Sequence, residues 1–369
     1  MKSSTDVVVV GGGIIGSGIA LALASRGASV TVLERAGIAA EASSAAAGIL
    51  APRVHATMEH MFPLALASHA RFPAVVEALR ATTGMDVEYV RSGALDLAFE
   101  EAGEEALRDK VQWLRAAGHD VQWLSREETL AREPALAPDV RGAFFDADAY
   151  QVNPIRLTHA TAQAAARRGA RFELGVEVIG LDYEGDRATA VRTTTGRVEA
   201  GHVVLAAGAW MGHYGSWTPR PVPVFPVKGQ ILTLYAVPPP IRTVVFGRAR
   251  YLLPRVDGTV VVGATYEPVG FDKTLTAKGI GGLLGAIPSL CPALADARID
   301  RTWAGLRPGS ADELPIIGPA PETANVTLAA GHFRNGIMLA PITWELVADL
   351  ILAGRTDPLL DPLSPSRFP

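Results

Sequence analysis

One arginine stands where an arginine is hard to keep. Arg334 lies in the run AAGHFRNGIMLAP, residues 329–341, among glycines and apolar side chains. Desolvating a guanidinium costs several kcal/mol unless an anion compensates. The anion is either a carboxylate of the protein or one that arrives with a ligand. The nearest acids in the chain, Glu322 and Glu345, flank the segment, and no pattern brings either of them to it. Downstream, PITWELVADLILAG reads as a helix, with Ile342, Leu346 and Leu350 on one face and Gly354 as its stop. Arg334 therefore just precedes a helix start, where free backbone amides and the positive end of the dipole also favour negative charge.

A second anion site is written at the other end of the chain, in DVVVVGGGIIGSGIALALASRGASVTVLER. Val7–Val10 has the unbroken apolar character of a buried parallel strand. Gly11, Gly13 and Gly16 then form G-x-G-x-x-G: the first permits a tight turn, the second admits a pyrophosphate, and the third lets helix pack on strand. Ile15, Ile19 and Leu23 share a helix face, Gly27 ends the helix, and SVTVLE is a second strand closing on Glu34. An acid at that position hydrogen-bonds ribose hydroxyls and disfavours a 2′-phosphate, so NADP is not expected, whereas FAD and NAD both fit. The following segment, RAGIAAEASSAAAGILAP, is built of small residues that allow a large flat ligand to approach the backbone. Ser43 and Ser44 are candidate phosphate donors, with a helix N-cap as the alternative for Ser43. GHVVLAAGAW is another strand running into small residues, suited to a further edge of the same site.

The rest of the 369 residues must position these two ends. The composition, 49% hydrophobic and 20% charged, is that of a soluble globular protein, and the net charge of −4 gives no footprint for nucleic acid. The single cysteine, Cys291, allows no intramolecular disulfide and no CxxC metal or redox site; no metal is expected, and a reducing compartment fits. No secretory leader and no apolar run of membrane-spanning length are apparent, so a cytoplasmic protein without an integral membrane segment is expected. Residues 85–100 read as paired strands around a Ser-Gly turn, and residues 104–118 as an amphipathic helix with Leu107, Val111 and Leu114 inward. Ser125 and Glu128 form a capping box, and Pro154 opens a helix at its first position. VKGQILTLY and RYLLPRVDGTVVVGAT are strands, the latter a hairpin about Asp257-Gly258. The expected fold is α/β. A discontinuous Rossmann-like FAD-binding domain (residues 1–85, 150–222 and 301–369) carries an inserted α+β substrate domain on an antiparallel sheet (residues 86–149 and 223–300).

Taken together, VVVVGGGIIGSGIALALASRG, EASSAAAGILAP, TWAGLRPGSADELPIIG and AAGHFRNGIMLAPITWELVADLI resemble the D-amino-acid-oxidase-type flavoproteins, nearest to the glycine oxidase branch of the thiamine pathway. The resemblance covers nearly the whole chain in order. It implies an FAD-dependent oxidase of glycine and other small amines. Amine becomes imine, O2 becomes hydrogen peroxide, and the imine feeds thiazole synthesis. A homo-oligomer is expected. By the same resemblance Arg307 in GLRPG binds the substrate carboxylate, Tyr251 in ARYLLPR hydrogen-bonds it, and Arg334 stands at the flavin edge. FAD contacts fall on Gly11, Gly13, Ile14, Ile15, Gly16, Glu34, Arg35, Ser43, Ser44, Ala47, Gly48, Ile49 and Val178, and on His332, Phe333, Arg334, Asn335, Gly336, Ile337 and Met338. Tyr266 takes a pocket-lining position where relatives often carry another residue. Related sarcosine oxidases attach FAD through a cysteine near this motif; none occurs between Trp303 and Pro319, so the flavin is expected to be noncovalent.

The chemistry asks for a fork of donors on the carboxylate, which a planar guanidinium supplies, and for amides at the flavin edge to stabilise the reduced anion. No catalytic base is evident, and hydride transfer from a neutral amine needs none. Competing readings are a salt bridge from Arg307 to Asp312 or Glu313, a core tyrosine at Tyr251, and a merely packed His332. At the level of function the rivals are a D-amino-acid dehydrogenase feeding a quinone and a flavin-binding module without turnover.

Overall fold

The valine run at the N-terminus is the central strand of a sheet covered on both faces. The computed structural model describes residues 5–54, 61–214 and 217–368. Thr5–Val10 pairs in parallel with Val30–Glu34 on one side and with Gly196–Leu205 on the other. Val7 and Val9 enter a core shared with the helices Ile14–Ala24, Pro154–Arg167 and Ala340–Ala353. Val8 and Val10 enter a second core under the antiparallel strands Val178–Glu184 and Arg187–Thr193. A strand buried on both faces has no reason to alternate apolar and polar residues. Arg171–Leu174 and Val326–Ala330 extend the parallel ladder at its two ends. Gly18 leaves room for the ring of Trp344, whose Nε1 donates to the Ile14 carbonyl at 3.0 Å. The C-terminal helix is thereby locked onto the N-terminal one, and Arg334 is brought round to the glycine fingerprint.

A second eight-stranded sheet lies opposite. In spatial order its strands are Arg298–Ser310, Val224–Tyr235, Thr259–Gly263, Arg250–Pro254, Val244–Gly247, Ala94–Ala98, Gly142–Asp146 and Gln122–Ser125. Three expectations change here. The sheet is not wholly antiparallel: Ala94–Ala98 and Val244–Gly247 run parallel, because they arrive from separate stretches of chain and no hairpin sets their direction. Val90–Arg91 and Ala94–Ala98 do not pair with each other across the Ser-Gly turn; the first pairs with Tyr150–Gln151 and the second with Gly142–Asp146. Residues 301–310, grouped above with the FAD-binding segments, belong to the second sheet, since Arg298–Ser310 pairs along its length with Val224–Tyr235.

Local signals in between do appear. The capping box of Ser125 and Glu128 is formed, and Pro154 opens its helix with Asn153 as the cap. A small sheet of Ile49–Leu50, Tyr150–Gln151 and Val90–Arg91 bridges the two halves. Half-buried Arg255 is its rivet, donating to the carbonyls of Val152 (2.8 Å) and Ala47 and to Gln151 Oε1 (3.2 Å).

Candidate active site

Parallel strands end with their backbone groups unspent, and ligands collect there. A cavity of about 860 Å³ opens at that edge. Val10, Leu33, Ala206 and Ala330, at or just past the ends of four parallel strands, line one wall; Gly229, Tyr251, Gly305 and Arg307 of the second sheet line the other. Its size suits a sizeable organic ligand.

The glycine fingerprint works through contact. A Cβ on Gly11, which has φ +114°, would lie 2.5 Å from the Ala206 carbonyl oxygen, and one on Gly16 would overlap the carbonyl oxygen of Gly11. The amides of Gly13 and Ile15 donate to no described residue, which leaves them for a phosphate. Glu34 is held by two amides, Gly12 N at 2.7 Å and Ala36 N at 2.8 Å, with lone pairs remaining toward the cavity. Ser43 lines the cavity and does not cap its own helix, Ala42–Ala45, whose cap position is Glu41. Its Oγ accepts from Ile14 N at 3.0 Å, capping the first turn of the fingerprint helix, whose own cap residue, Gly13, has no side chain to do so. Ser44 is placed differently: its hydroxyl donates to the Glu41 carbonyl at 3.0 Å, and it is not among the residues lining the cavity. Gly16 also stays out of the lining, being spent on helix–strand packing. Gly11, Gly13, Ile14, Ile15, Glu34, Arg35, Ser43, Ala47, Gly48, Ile49, Val178 and the run His332–Met338 all line it.

In that run the expected desolvation of Arg334 is not found: its side chain is exposed, because the turn places it at the cavity's solvent-facing rim, and water solvates the charge. Arg334 finds no carboxylate among the described residues: Glu345 is taken by Arg71 at 2.6 Å and Glu322 by Arg220 at 2.8 Å. Its guanidinium stands over the rings of Phe333 (4.9 Å) and Tyr266 (5.5 Å). Phe333 has φ 47°, a left-handed conformation that costs a bulky residue roughly 1–3 kcal/mol. Such strain collects at functional turns. The amides of Gly336, Ile337 and Met338 donate to no described residue and line the cavity, so the turn ahead of the C-terminal helix presents the donors, not the helix itself, which starts at Ala340. His332 is buried with Nε2 3.1 Å from Thr343 Oγ1, and burial pushes its pKa down to about 3, so it is neutral.

On the opposite wall Arg307 also lacks a carboxylate. Asp312 is held by Arg367 at 2.7 Å, and Glu313 forms no ion pair with Arg307. Instead Arg307 Nη1 donates to the carbonyls of Thr265 (3.1 Å) and Lys228 (3.4 Å). Burial pulls the guanidinium below its ordinary basicity, yet an arginine remains charged. The neighbouring Tyr251 phenol is pushed up to about 12 by burial, against the pull of the Arg307 and Arg255 charges. Two glycines make these positions possible. A Cβ on Gly229 would lie 2.5 Å from Arg307 Cζ, and one on Gly263 would lie 2.9 Å from Tyr251 Cε1, so both side chains lie flat on bare backbone. The sequence reading missed Gly229 and Gly263. The signal was present, because a lone glycine inside a strand marks a close approach. Trp210, under the Arg35 guanidinium at 3.9 Å, was likewise missed as a wall residue.

With this geometry in hand, comparison with known proteins is specific. A family model described as FAD dependent oxidoreductase (DAO) matches residues 6–350. The chain is 40% identical, across its full length, to the bifunctional protein ThiO/ThiG of Synechocystis sp., of which it spans 55%. It is 39% identical to the glycine oxidase of Geobacillus kaustophilus, covering 100% of this chain and 98% of that protein. A crystal structure of glycine oxidase from Geobacillus kaustophilus matches with a TM-score of 0.96 at 37% identity, covering 99% of each chain.

Proposed function

The chain belongs to the FAD-dependent oxidoreductase family, and on that premise we propose that it oxidises glycine and other small amino acids to their imines while O2 is reduced to hydrogen peroxide. FAD is the cofactor. The unspent amides of Gly13 and Ile15, the tethered Glu34 and the free amides of Gly336, Ile337 and Met338 fit its phosphates, its ribose and an electron-rich ring edge. When bound, FAD supplies the two-electron acceptor for the substrate Cα–H bond and hands the electrons to O2.

The observation that carries the substrate class is Arg307. A desolvated guanidinium with no protein carboxylate, steadied on one nitrogen by two carbonyls, keeps the rest of its donor fork for a carboxylate that arrives from solvent. Tyr251 stays a phenol at neutral pH and adds a donor without adding charge. His332, neutral and engaged with Thr343, is not placed to take a proton. On this reading the substrate reacts as the free amine, oriented by its carboxylate.

By its resemblance to the glycine oxidase branch, the product imine would feed thiazole synthesis. A cytoplasmic setting is supported by the buried free thiol of Cys291, and among the described residues no helix is long and apolar enough to cross a membrane. The homo-oligomer implied by the resemblance is tested by light scattering on the purified protein. The deciding experiment for function is anaerobic addition of glycine to the yellow holoenzyme. Full bleaching, followed in air by one peroxide per glycine consumed, is expected. No bleaching would leave a binding module, and bleaching without peroxide would leave a dehydrogenase.

A further inference from the structure

A carboxylate clamp works only if its fork is aimed, and the groups that aim Arg307 converge on one residue that has no role in the reading above. We propose that Glu267 is the positioning residue of the clamp: its carboxylate gathers Lys228, Gln230 and Thr265 into a knot whose carbonyls hold Arg307. This inference rests on reading Arg307 as the substrate clamp.

The knot is dense. Lys228 is 1% exposed, with Nζ 3.0 Å from Glu267 Oε2 and donating to the Thr274 carbonyl at 3.1 Å; Asp272 stands farther off at 3.9 Å. Gln230, fully buried, donates to Glu267 Oε1 at 2.8 Å and exchanges hydrogen bonds with Thr276. Thr265 Oγ1 donates to Glu267 Oε1 at 2.5 Å and accepts from Gln230 N at 2.8 Å. The backbones of Lys228 and Glu267 exchange a pair of hydrogen bonds at 2.9 and 3.0 Å. The two carbonyls that receive Arg307 Nη1 belong to Lys228 and Thr265, both side-chain partners of Glu267.

The lysine of this pair is buried but the Glu267 side chain is 23% exposed, and an ion pair open to water on one side adds little to stability alone. What it provides here is registry. It fixes the strand Val224–Tyr235 against the chain at 265–267, and so fixes the spacing of the two carbonyls under one guanidinium nitrogen. Tyr266 is held between two members of the knot, with its ring edge-on to Phe333 at 6.1 Å. The second wall of the pocket is set by the same residues.

The test uses the oxidised holoenzyme with acetate as the probe, binding being read from the flavin absorption spectrum, and glycine ethyl ester as a substrate without an anionic carboxylate. Glu267→Gln is expected to weaken acetate binding about tenfold, the lower end for losing a hydrogen bond to a charged group, and to leave the KM of the ester within about twofold. Thr265→Val, which keeps the ion pair and the carbonyl but frees the tether, is expected to weaken acetate about threefold, and it decides the matter if Glu267→Gln does not retain FAD. Unchanged acetate binding in these variants, with a loss in Arg307→Ala, overturns the inference and leaves the clamp standing. Unchanged binding in Arg307→Ala overturns the clamp itself. Equal losses for acetate and ester would make Glu267 a structural residue only and also overturn the inference.

Discussion

Gly229→Ala adds one methyl group on the cavity side of a strand paired along both edges. The new Cβ would sit 2.5 Å from Arg307 Cζ. Carbon atoms in contact settle about 3.5–4.0 Å apart, so the guanidinium must retreat by about 1 Å or more. Arg307 is a flexible side chain reaching across the strand, so the cost falls on its aim and not on the sheet. A shift of about 1 Å at a positioned group costs roughly 100-fold in rate, similar to losing a charge-assisted hydrogen bond at about 1.5–3 kcal/mol. The expectation is that kcat/KM for glycine falls about 100-fold, that glycine ethyl ester is affected less than about threefold, and that FAD content and melting temperature stay near the parent values. Stopped-flow anaerobic reduction over a glycine titration separates affinity from rate. If glycine binds and reduces the variant as it does the parent protein, Arg307 does not lie over Gly229 when it works, and the reading of this wall is refuted.

Arg307→Ala should raise the KM for glycine roughly 10- to 150-fold while sparing the ester; equal losses would point to a structural arginine. Arg334→Leu should lower the flavin reduction potential and slow reduction by glycine, about tenfold for each 1.4 kcal/mol lost, with folding and FAD uptake intact; a dye-equilibrated titration measures it, and an unchanged potential with a large fall in thermal stability would reverse the reading. His332 has its folded pKa pushed down to about 3, below the ordinary value near 6.5 of the unfolded chain. The stability it contributes is complete above pH about 6.5 and is lost as the pH falls from there toward 3, because only the unfolded state takes up the proton in that window. His332→Asn should therefore flatten the fall in urea midpoint between pH 7 and pH 5; an unaltered slope counts against it. Acid precipitation should release all the yellow colour to the supernatant, since Cys291 is buried away from the cavity; colour kept in the pellet would mean a covalent flavin.

What the sequence determined by itself lies within a few residues of its own cause. The valine run, the three glycines and the Glu34 that ends the next strand specify one strand–turn–helix–strand unit because each acts on its immediate neighbours. The same is true of the Ser125 capping box, Pro154 at a helix start and Gly354 in the left-handed conformation at a helix end. The resemblance to a flavoprotein family was legible in motifs of this kind. What only the tertiary structure decided was which of several available partners each polar group took. Ser43 accepts from the first amide of a helix 29 residues earlier in the chain, a pairing its position in the sequence did not suggest. Asp312, close enough in sequence to neutralise Arg307, goes to Arg367 across 55 residues, and Glu345 goes to Arg71 across 274. Arg307 and Arg334 are left without protein anions by those distant pairings, because competition for a charge is settled through space, by burial and distance, and the order of residues along the chain records neither.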